Sequence, residues 1–182
     1  MLLRALSLAC VVTAVVACEG EGVPVPIPCG PLEDFPPVSL VLERRCGTLD
    51  CHGALARPLK IYSGNGLRLA TLEEIGDAGV AQENETIPGG RATSPEEFEA
   101  NWRSVCGLEP EKTLRVVTGE IPPEDLMVLR KPLLLEEHKG AQLFLEGDPG
   151  ATCVSCWFRG FPEVVECLDA EAGCALAIQQ QL

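Results

Sequence analysis

The residues with the most specific chemistry in this 182-residue chain are two cysteines and a histidine that lie close together in sequence. Four residues separate Cys46 from Cys51, and His52 follows Cys51 directly. Attachment of a c-type haem needs this order, because two thiols bond to two vinyl groups of the porphyrin and the next imidazole reaches the iron. The usual spacer has two residues. The pattern therefore predicts covalent haem c on a wider loop, with Cys46 and Cys51 as thioether attachments and His52 as the proximal iron ligand.

Two other interpretations fit the same three residues. A disulfide between Cys46 and Cys51 would make His52 a bystander, and spacing alone does not separate this interpretation from haem. A zinc site that adds Cys153 and Cys156 to the two cysteines also has suitable spacing. Such a site needs thiolates that survive in an oxidising compartment, which argues against it.

The first eighteen residues predict the compartment. After a basic start, residues 5–17 carry no charge. This run is shorter than the roughly 20 residues that span a membrane, and it suits the core of a signal peptide. Residues 15–18, Val-Val-Ala-Cys, resemble the lipobox of bacterial lipoprotein signal peptides, which implies lipidation of Cys18 and a stable membrane anchor. Glu19 stands where Asp would retain a lipoprotein at the inner membrane, so we expect an outer-membrane anchor, with the protein on the periplasmic or cell-surface side.

The composition narrows the range of partners. The chain has 14 Lys and Arg against 27 Asp and Glu, a formal net charge of -13, and 4% aromatic residues. Nucleic-acid binding depends on basic patches and stacking aromatics, so no nucleic-acid partner is expected. The sequence has no Ser-His-Asp set and no phosphate-binding loop, and we expect no enzymatic activity. A redox protein with a basic surface is the protein partner that this charge favours.

The chain divides into three segments. Residues 1–17 are the expected lipoprotein signal peptide, and residues 18–37 form a tether so rich in proline that it excludes a helix interior. Residues 38–182 have the length of one domain. We expect this domain to be mainly α, a small and irregular cytochrome c-like unit of short helices and long loops that is stapled by disulfides.

Apolar periodicity and local start signals predict six helices. Ser94, Pro95 and Glu97 combine a capping box with a proline in the first turn, which is the clearest helix start in the chain. A hairpin or an irregular double turn is expected within residues 59–69, and a surface loop at 76–93. The predicted helices span residues 37–45, 94–106, 124–129, 133–145, 149–158 and 162–181.

The remaining cysteines suit disulfide bonds. Once the signal peptide and the lipid anchor are set aside, eight cysteines remain, and this even number agrees with an oxidising compartment. Haem would leave six of them for three disulfides, whereas a haem-free protein can form four, so the count does not separate the two cases. Expected pairs are Cys167 with Cys174, and Cys153 or Cys156 with Cys106 or Cys29.

Two stretches of the chain resemble c-type cytochrome-like, haem-binding bacterial lipoproteins of the myxobacterial and planctomycete type. The first stretch, residues 35–69, has Cys-Gly-Thr-Leu-Asp-Cys-His-Gly at its centre. The second, residues 122–160, contains in order Pro-Pro-Glu-Asp-Leu, Lys-Pro, His-Lys-Gly, Gly-Asp-Pro and Trp-Phe-Arg-Gly. The resemblance implies a compact, mainly helical monohaem domain with the attachment and proximal residues already named.

The chain departs from that family pattern at the distal ligand. Ile121 stands where a Met-Pro-Pro element often provides a methionine, and Lys139 interrupts the glycine pair that follows the histidine. The alternatives for the sixth iron ligand are His138, which is the other histidine of the chain, and Met127; a five-coordinate iron is the third. Arg68 is expected either to pair with a haem propionate or to lie exposed.

Two functions from different classes follow. The first is a membrane-anchored periplasmic lipoprotein that binds covalent haem c and transfers electrons by one-electron cycling of the iron. The alternative is a haem-free, disulfide-rich lipoprotein that acts as a binding or structural module.

Overall fold

Short α-helices form most of the regular structure of this protein. The computed structural model describes residues 28–69, 83–85, 91–160, 167 and 170–179. The predicted signal peptide and Cys18 lie outside these residues. In chain order the elements are α1 (Phe35–Cys46), β1 (Leu67–Leu69), β2 (Glu83–Glu85), α2 (Pro95–Cys106), α3 (Pro110–Val117), a 3₁₀ turn (Pro123–Asp125), α4 (Met127–Arg130), α5 (Pro149–Phe158) and α6 (Ala170–Gln179). The expectation of a mainly helical, disulfide-stapled domain is confirmed.

Helix α1 lies at the centre of the domain and packs against α2, α5 and α6. Prolines in its first turn suit a helix start, because their missing N–H groups need no partner there. Val38, Val41 and Leu42 are buried, as their helical spacing predicts. The aromatic side chains of Phe35 on α1 and Trp157 on α5 meet with ring centroids 4.8 Å apart. Cys46 is the last residue of α1, so the packing of α1 in the core fixes the position of this cysteine.

The folded domain begins before residue 38. The indole N–H groups of Trp102 and Trp157 donate to the carbonyl oxygens of Gly30 and Pro31, each at 2.9 Å. A Cβ atom at Gly30 would lie 2.5 Å from a ring atom of Trp157, so the close approach requires glycine. Residues 28–37 were expected to belong to the tether, and the structure corrects this boundary, because these contacts fix them to the domain.

Helix α2 begins as its sequence predicts. The Ser94 hydroxyl accepts from the Glu97 N–H at 3.3 Å, and the Glu97 carboxylate accepts from the Ser94 N–H at 2.9 Å. Glu97 also binds Arg68 of β1 through two hydrogen bonds of 2.7 and 2.9 Å, and both side chains are buried. Arg68 is therefore neither exposed nor directed to a haem propionate, because its charge is already neutralised inside the fold.

Three disulfides join described residues, and their pairing differs from the expectation. Cys29 bonds to Cys106 at the end of α2, and the other two pairs are Cys153–Cys174 and Cys156–Cys167. Helices α5 and α6 pack against each other, so the cysteines of α5 face those of the C-terminal region across that contact. The expected bond between Cys167 and Cys174 is wrong for this reason, as are the expected pairs of Cys153 or Cys156 with Cys106 or Cys29.

The segment between α4 and α5 is a closed loop, although residues 133–145 were predicted to be helical. The carbonyl oxygen of Pro132 accepts from both the Leu143 and the Phe144 N–H, at 3.0 and 3.2 Å. Leu134 and Ala141 have φ angles of 58° and 63°, in the left-handed region that side chains disfavour and that ends a right-handed helix. The leucines of this segment therefore do not form one face of a helix. They line two concave surfaces, one with Leu143 and the other with Leu133, Leu135 and Leu145.

Three smaller predictions also need correction. Residues 59–69 form the irregular turn that was the alternative to a hairpin, with the Ser63 N–H donating to the Leu67 carbonyl oxygen at 3.0 Å. Leu67–Leu69 pairs antiparallel with Glu83–Glu85, so the expected surface loop contains a strand. The predicted helix 124–129 is replaced by the 3₁₀ turn and α4, with Leu126 extended between them. Helix α3 was not predicted, although Pro110 in its first turn is a start signal.

Among the described residues, no helix has both the length and the apolar composition to span a membrane.

Candidate functional site

One cavity of about 820 Å³ brings together the residues that the sequence singled out for haem binding. A volume of this size lies within the range of about 300–1,000 Å³ that is usual for ligand and cofactor sites. Leu59, Leu108, Val128 and Leu143 provide apolar parts of the wall. The sequence-predicted residues that line the cavity are Cys46, Cys51, His52, Met127 and His138. They come from α1, the loop after it, α4 and the loop before α5.

The loop from Gly47 to Gly53 holds Cys51 and His52 next to the end of α1. The His52 N–H donates to the carbonyl oxygen of Cys46 at 2.8 Å, and the Cys51 N–H donates to that of Thr48 at 2.9 Å. A Cβ atom at Gly53 would lie 2.2 Å from the Gly47 carbonyl oxygen, so the loop needs glycine to close. The four-residue spacer thus forms an ordered loop that presents both cysteines to the cavity.

Cys46 and Cys51 are the two cysteines outside the disulfides among the residues that the structure describes. Cys46 is buried, and burial raises the pKa of its thiol to about 12; the nearby Cys51 acts in the same direction. A thiol with such a pKa is protonated at neutral pH and is a poor nucleophile in thiol–disulfide exchange. Cys46 therefore has the low reactivity of a buried thiol, and both cysteines line the cavity outside any disulfide.

His52 is fixed in one tautomer. Its Nδ1 lies 2.9 Å from the carbonyl oxygen of Leu59. Because a carbonyl oxygen only accepts, Nδ1 carries the proton and Nε2 keeps its lone pair. Burial lowers the pKa of His52, and the charges of His138 and Arg57 act in the same direction, while the bond to Leu59 opposes them. The neutral ring with a bare Nε2 is the form that ligates a metal.

His138 has the same arrangement on a different element. Its Nδ1 lies 2.8 Å from the carbonyl oxygen of Ala141, and the Ala141 N–H donates back to the His138 carbonyl oxygen at 3.2 Å. The tautomer is again the one with a proton on Nδ1 and a free Nε2. Gly140 allows the ring to lie over the turn, because a Cβ atom there would be 2.9 Å from Cε1 and 3.2 Å from Nε2.

The two histidine rings are parallel. Their centroids are 6.4 Å apart and their planes differ by 8°. Metal–imidazole nitrogen bonds are about 2 Å long, so two rings that share one metal ion have their centres roughly 6 Å apart. The centroid distance between the stacked rings of His52 and His138 matches this spacing. Met127 lies on the same cavity, half-buried at the start of α4.

Charged side chains surround the mouth of the cavity. Lys131 pairs with Glu136 at 2.9 Å, and Arg57 donates to the carbonyl oxygen of Asp50 at 3.0 Å. Lys139 is exposed beside His138. No sequence pattern marks Lys131, Glu136 or Arg57 as part of the site, nor the carbonyl groups of Leu59 and Ala141. Every residue has a carbonyl group, so no sequence signal marks the two that orient the histidines.

A zinc site built from Cys46, Cys51, Cys153 and Cys156 is wrong, because the last two of these residues are in disulfides. The described residues contain no group of three or more His, Cys, Asp and Glu side chains that would hold a bare metal ion. The donors that line the cavity are two thiols and two imidazoles, together with the Met127 thioether and the carboxylates of Asp50, Glu136 and Glu137. This set lacks the four close ligands of structural zinc and suits a metal that arrives within a larger group attached through sulfur.

Comparison of the chain with protein-family models, with curated proteins and with solved structures gives no match.

Proposed function

We propose that this protein binds one covalent c-type haem in the cavity and acts as a membrane-anchored electron carrier of the periplasm or cell surface. The carrying observation is that the two cysteines outside the disulfides line the same cavity as two parallel histidine rings 6.4 Å apart. Cys46 and Cys51 form the thioethers, and His52 is the proximal ligand. When bound, the haem supplies one-electron Fe(III)/Fe(II) cycling.

The protein's own residues prepare this site in three ways. The carbonyl oxygen of Leu59 fixes His52 so that Nε2 is free, and burial keeps the ring neutral. The apolar wall that includes Leu59, Val128 and Leu143 excludes water, which favours a stable, low-polarity surrounding for the cofactor. Arg57 and Lys139 at the mouth match the negative charge of porphyrin carboxylates.

His138 is the proposed distal ligand, in preference to Met127 and to an open position. The support is the ring separation of 6.4 Å, the parallel planes and the free Nε2. Two imidazole ligands make a low-spin, low-potential electron carrier, since a methionine ligand is the one that raises the potential. The lipid anchor on Cys18 completes the proposal and holds the domain at the outer membrane.

Covalent haem is the first property to test. The full chain is produced in a periplasm with a cytochrome c maturation system, and haem is measured by the pyridine haemochrome spectrum after denaturation. We expect covalent haem in the wild type and its loss in the double variant Cys46→Ala/Cys51→Ala, because both thioether sulfurs are removed. The variant Thr48→Ser changes an exposed side chain of the same loop and should retain haem.

A colourless wild-type protein would contradict the proposal. It would then favour the haem-free, disulfide-stapled binding module, and a free-thiol assay would show whether Cys46 and Cys51 remain reduced.

The distal ligand is tested by a matched pair of variants on the haem-loaded protein. His138→Ala should convert the low-spin electron paramagnetic resonance signal to a high-spin one, and added imidazole should restore it by taking the position of the lost ring. Met127→Leu should leave the signal unchanged. The opposite result, with Met127→Leu alone losing the low-spin signal, would assign the distal position to methionine.

A further inference from the structure

The loop segment 131–146 separates the cavity from a second concave surface. Pro132, His138 and Leu143 face the cavity, whereas Leu133, Leu135, Gln142 and Leu145 line a groove of about 590 Å³ on the other side. Residues 136–140 between these groups also line the cavity, so the same segment contributes to both concave surfaces. The wall between them is a single chain segment, so a molecule in the groove lies one layer of protein away from the cavity.

Two leucines that line the groove are strongly exposed. Leu135 and Leu145 are 65% and 63% exposed, the highest values among the large hydrophobic residues that the structure describes as exposed. Leu134, in the same segment, is 47% exposed. Single exposed leucines need no explanation, but a group of them beside a concave surface is typical of a contact site.

The charge at the groove is negative. Glu124, Glu146 and Asp148 line it, while Arg159 is the one basic side chain among the described residues of its lining. Asp148 is also 3.5 Å from Arg45, so its charge is partly balanced, whereas Glu124 accepts a neutral hydrogen bond from Ser155 at 3.0 Å. The whole chain has a net charge of -13. A second copy of this acidic surface would be repelled, and a basic partner would be attracted.

We infer that the groove is the docking surface for a basic electron-transfer protein. This inference rests on the proposed haem function and names the partner of that site. The partner inserts apolar side chains between Leu135 and Leu145, and its lysines or arginines meet Glu124 and Glu146. The apolar and acidic groups together form a small contact area, which suits the short-lived complexes that redox proteins form.

The test is the rate of electron transfer from the reduced, haem-loaded full chain to an oxidised, lysine-rich c-type cytochrome, measured by stopped flow. Leu135→Gln/Leu145→Gln should lower the second-order rate constant about tenfold at low salt, because the apolar contact is lost. The matched control Leu114→Gln/Val117→Gln changes two residues of α3 that are 48% and 41% exposed and line neither the cavity nor the groove. Its rate should stay within about twofold of the wild type.

A charge reversal provides an independent variant. Glu146→Lys should slow the reaction with the basic cytochrome and weaken its dependence on ionic strength, whereas Glu111→Lys on α3 should have a smaller effect. Equal effects of the groove and the control variants would overturn the inference.

A small oxidant separates this inference from the proposed function. Hexaammineruthenium(III) needs no docking surface, so the uncharged Gln variants should react with it at the wild-type rate. A wild type without covalent haem would refute the proposed function. Haem-loaded groove variants that react normally with both oxidants would refute the docking surface alone. Sedimentation tests the other occupant: a wild-type dimer that Leu135→Gln/Leu145→Gln dissociates would show that a second copy covers the groove.

Discussion

The two histidines of the cavity are oriented in the same way, although they lie in different local structures. In each, a backbone carbonyl oxygen takes the Nδ1 proton and leaves Nε2 free. His52 is supported by hydrogen bonds to Cys46 and Leu59 at the edge of the core. His138 is supported by a turn whose last residue, Ala141, has a left-handed backbone. Strained positions of this kind persist where the surrounding structure needs them, and they concentrate at functional sites.

The turn makes Gly140 a positioning residue for His138. In Gly140→Ala, the new Cβ atom would lie 2.9 Å from the ring carbon Cε1, so the ring must move away. We expect the haem-loaded variant to lose a large part of its low-spin signal, and added imidazole to restore it. The control Gly173→Ala meets no atom closer than 3.7 Å and should leave the signal unchanged. An unchanged signal in Gly140→Ala would contradict this role.

At the scale of elements, buried polar bonds connect β1 to α2 and α2 to α1. Arg68 of β1 and Glu97 of α2 form an ion pair whose side chains are 3% and 0% exposed. Asn101 of α2 donates to Ser39 of α1 and to the carbonyl oxygen of Tyr62, both at 2.9 Å. The first bond fixes β1 against α2, and the second fixes α2 against α1. Together they fix both elements relative to the loop that carries Cys51 and His52.

Breaking the buried pair should be far more costly than breaking an exposed one. Arg68→Met removes the buried cation from the Glu97 carboxylate and leaves the partly exposed Arg91, 3.6 Å away, as its ion-pair partner. We expect a loss of about 3 kcal/mol in the free energy of unfolding. The matched variant Arg103→Met removes the exposed pair with Glu99, whose side chains are 67% and 45% exposed, and should cost less than about 1 kcal/mol. Urea unfolding at neutral pH measures both. Similar losses in the two variants would show that burial does not increase the contribution of the ion pair to the free energy of unfolding.

Elements with local signals were predictable from sequence, whereas those set by distant contacts were not. The capping box at Ser94 and the proline that starts α5 are local features, and both helices form where expected. The 131–146 segment was misassigned because its shape depends on the Pro132 carbonyl oxygen, which no periodicity reveals. At the site, the order Cys46, Cys51, His52 is a local pattern. The contact between His52 and His138 depends on how the whole chain folds.

For the whole molecule, the contribution of each disulfide to the free energy of unfolding depends on the length of chain that it closes. Cys29–Cys106 joins residues 77 apart, and Cys156–Cys167 joins residues 11 apart. The first ties the N-terminal segment to the end of α2. The second belongs to the local contact between α5 and the C-terminal region. Their loss should therefore have different consequences.

Removal of the long-range disulfide should be the more destabilising change. In the chain-entropy description, closing the longer loop restricts the unfolded state more, by about 2 kcal/mol relative to the shorter one. We expect Cys29→Ala/Cys106→Ala to lower the free energy of unfolding by that much more than Cys156→Ala/Cys167→Ala. Denaturant unfolding of the two double variants gives the comparison. A larger loss for the short-range pair would show that native packing, and not the unfolded chain, determines the effect.

The early start of the folded domain also determines how far it can travel from a membrane. In the proposed lipid-anchored form, residues 19–28 separate the anchor at Cys18 from Cys29, which the disulfide holds against α2. Such a length of chain spans at most about 40 Å when fully extended. The domain would then search a thin layer above the bilayer, where the local concentration of partners anchored in the same membrane greatly exceeds that of freely diffusing ones. A tether of this length favours electron exchange between proteins anchored in the same membrane over electron transfer across a wide gap between two membranes.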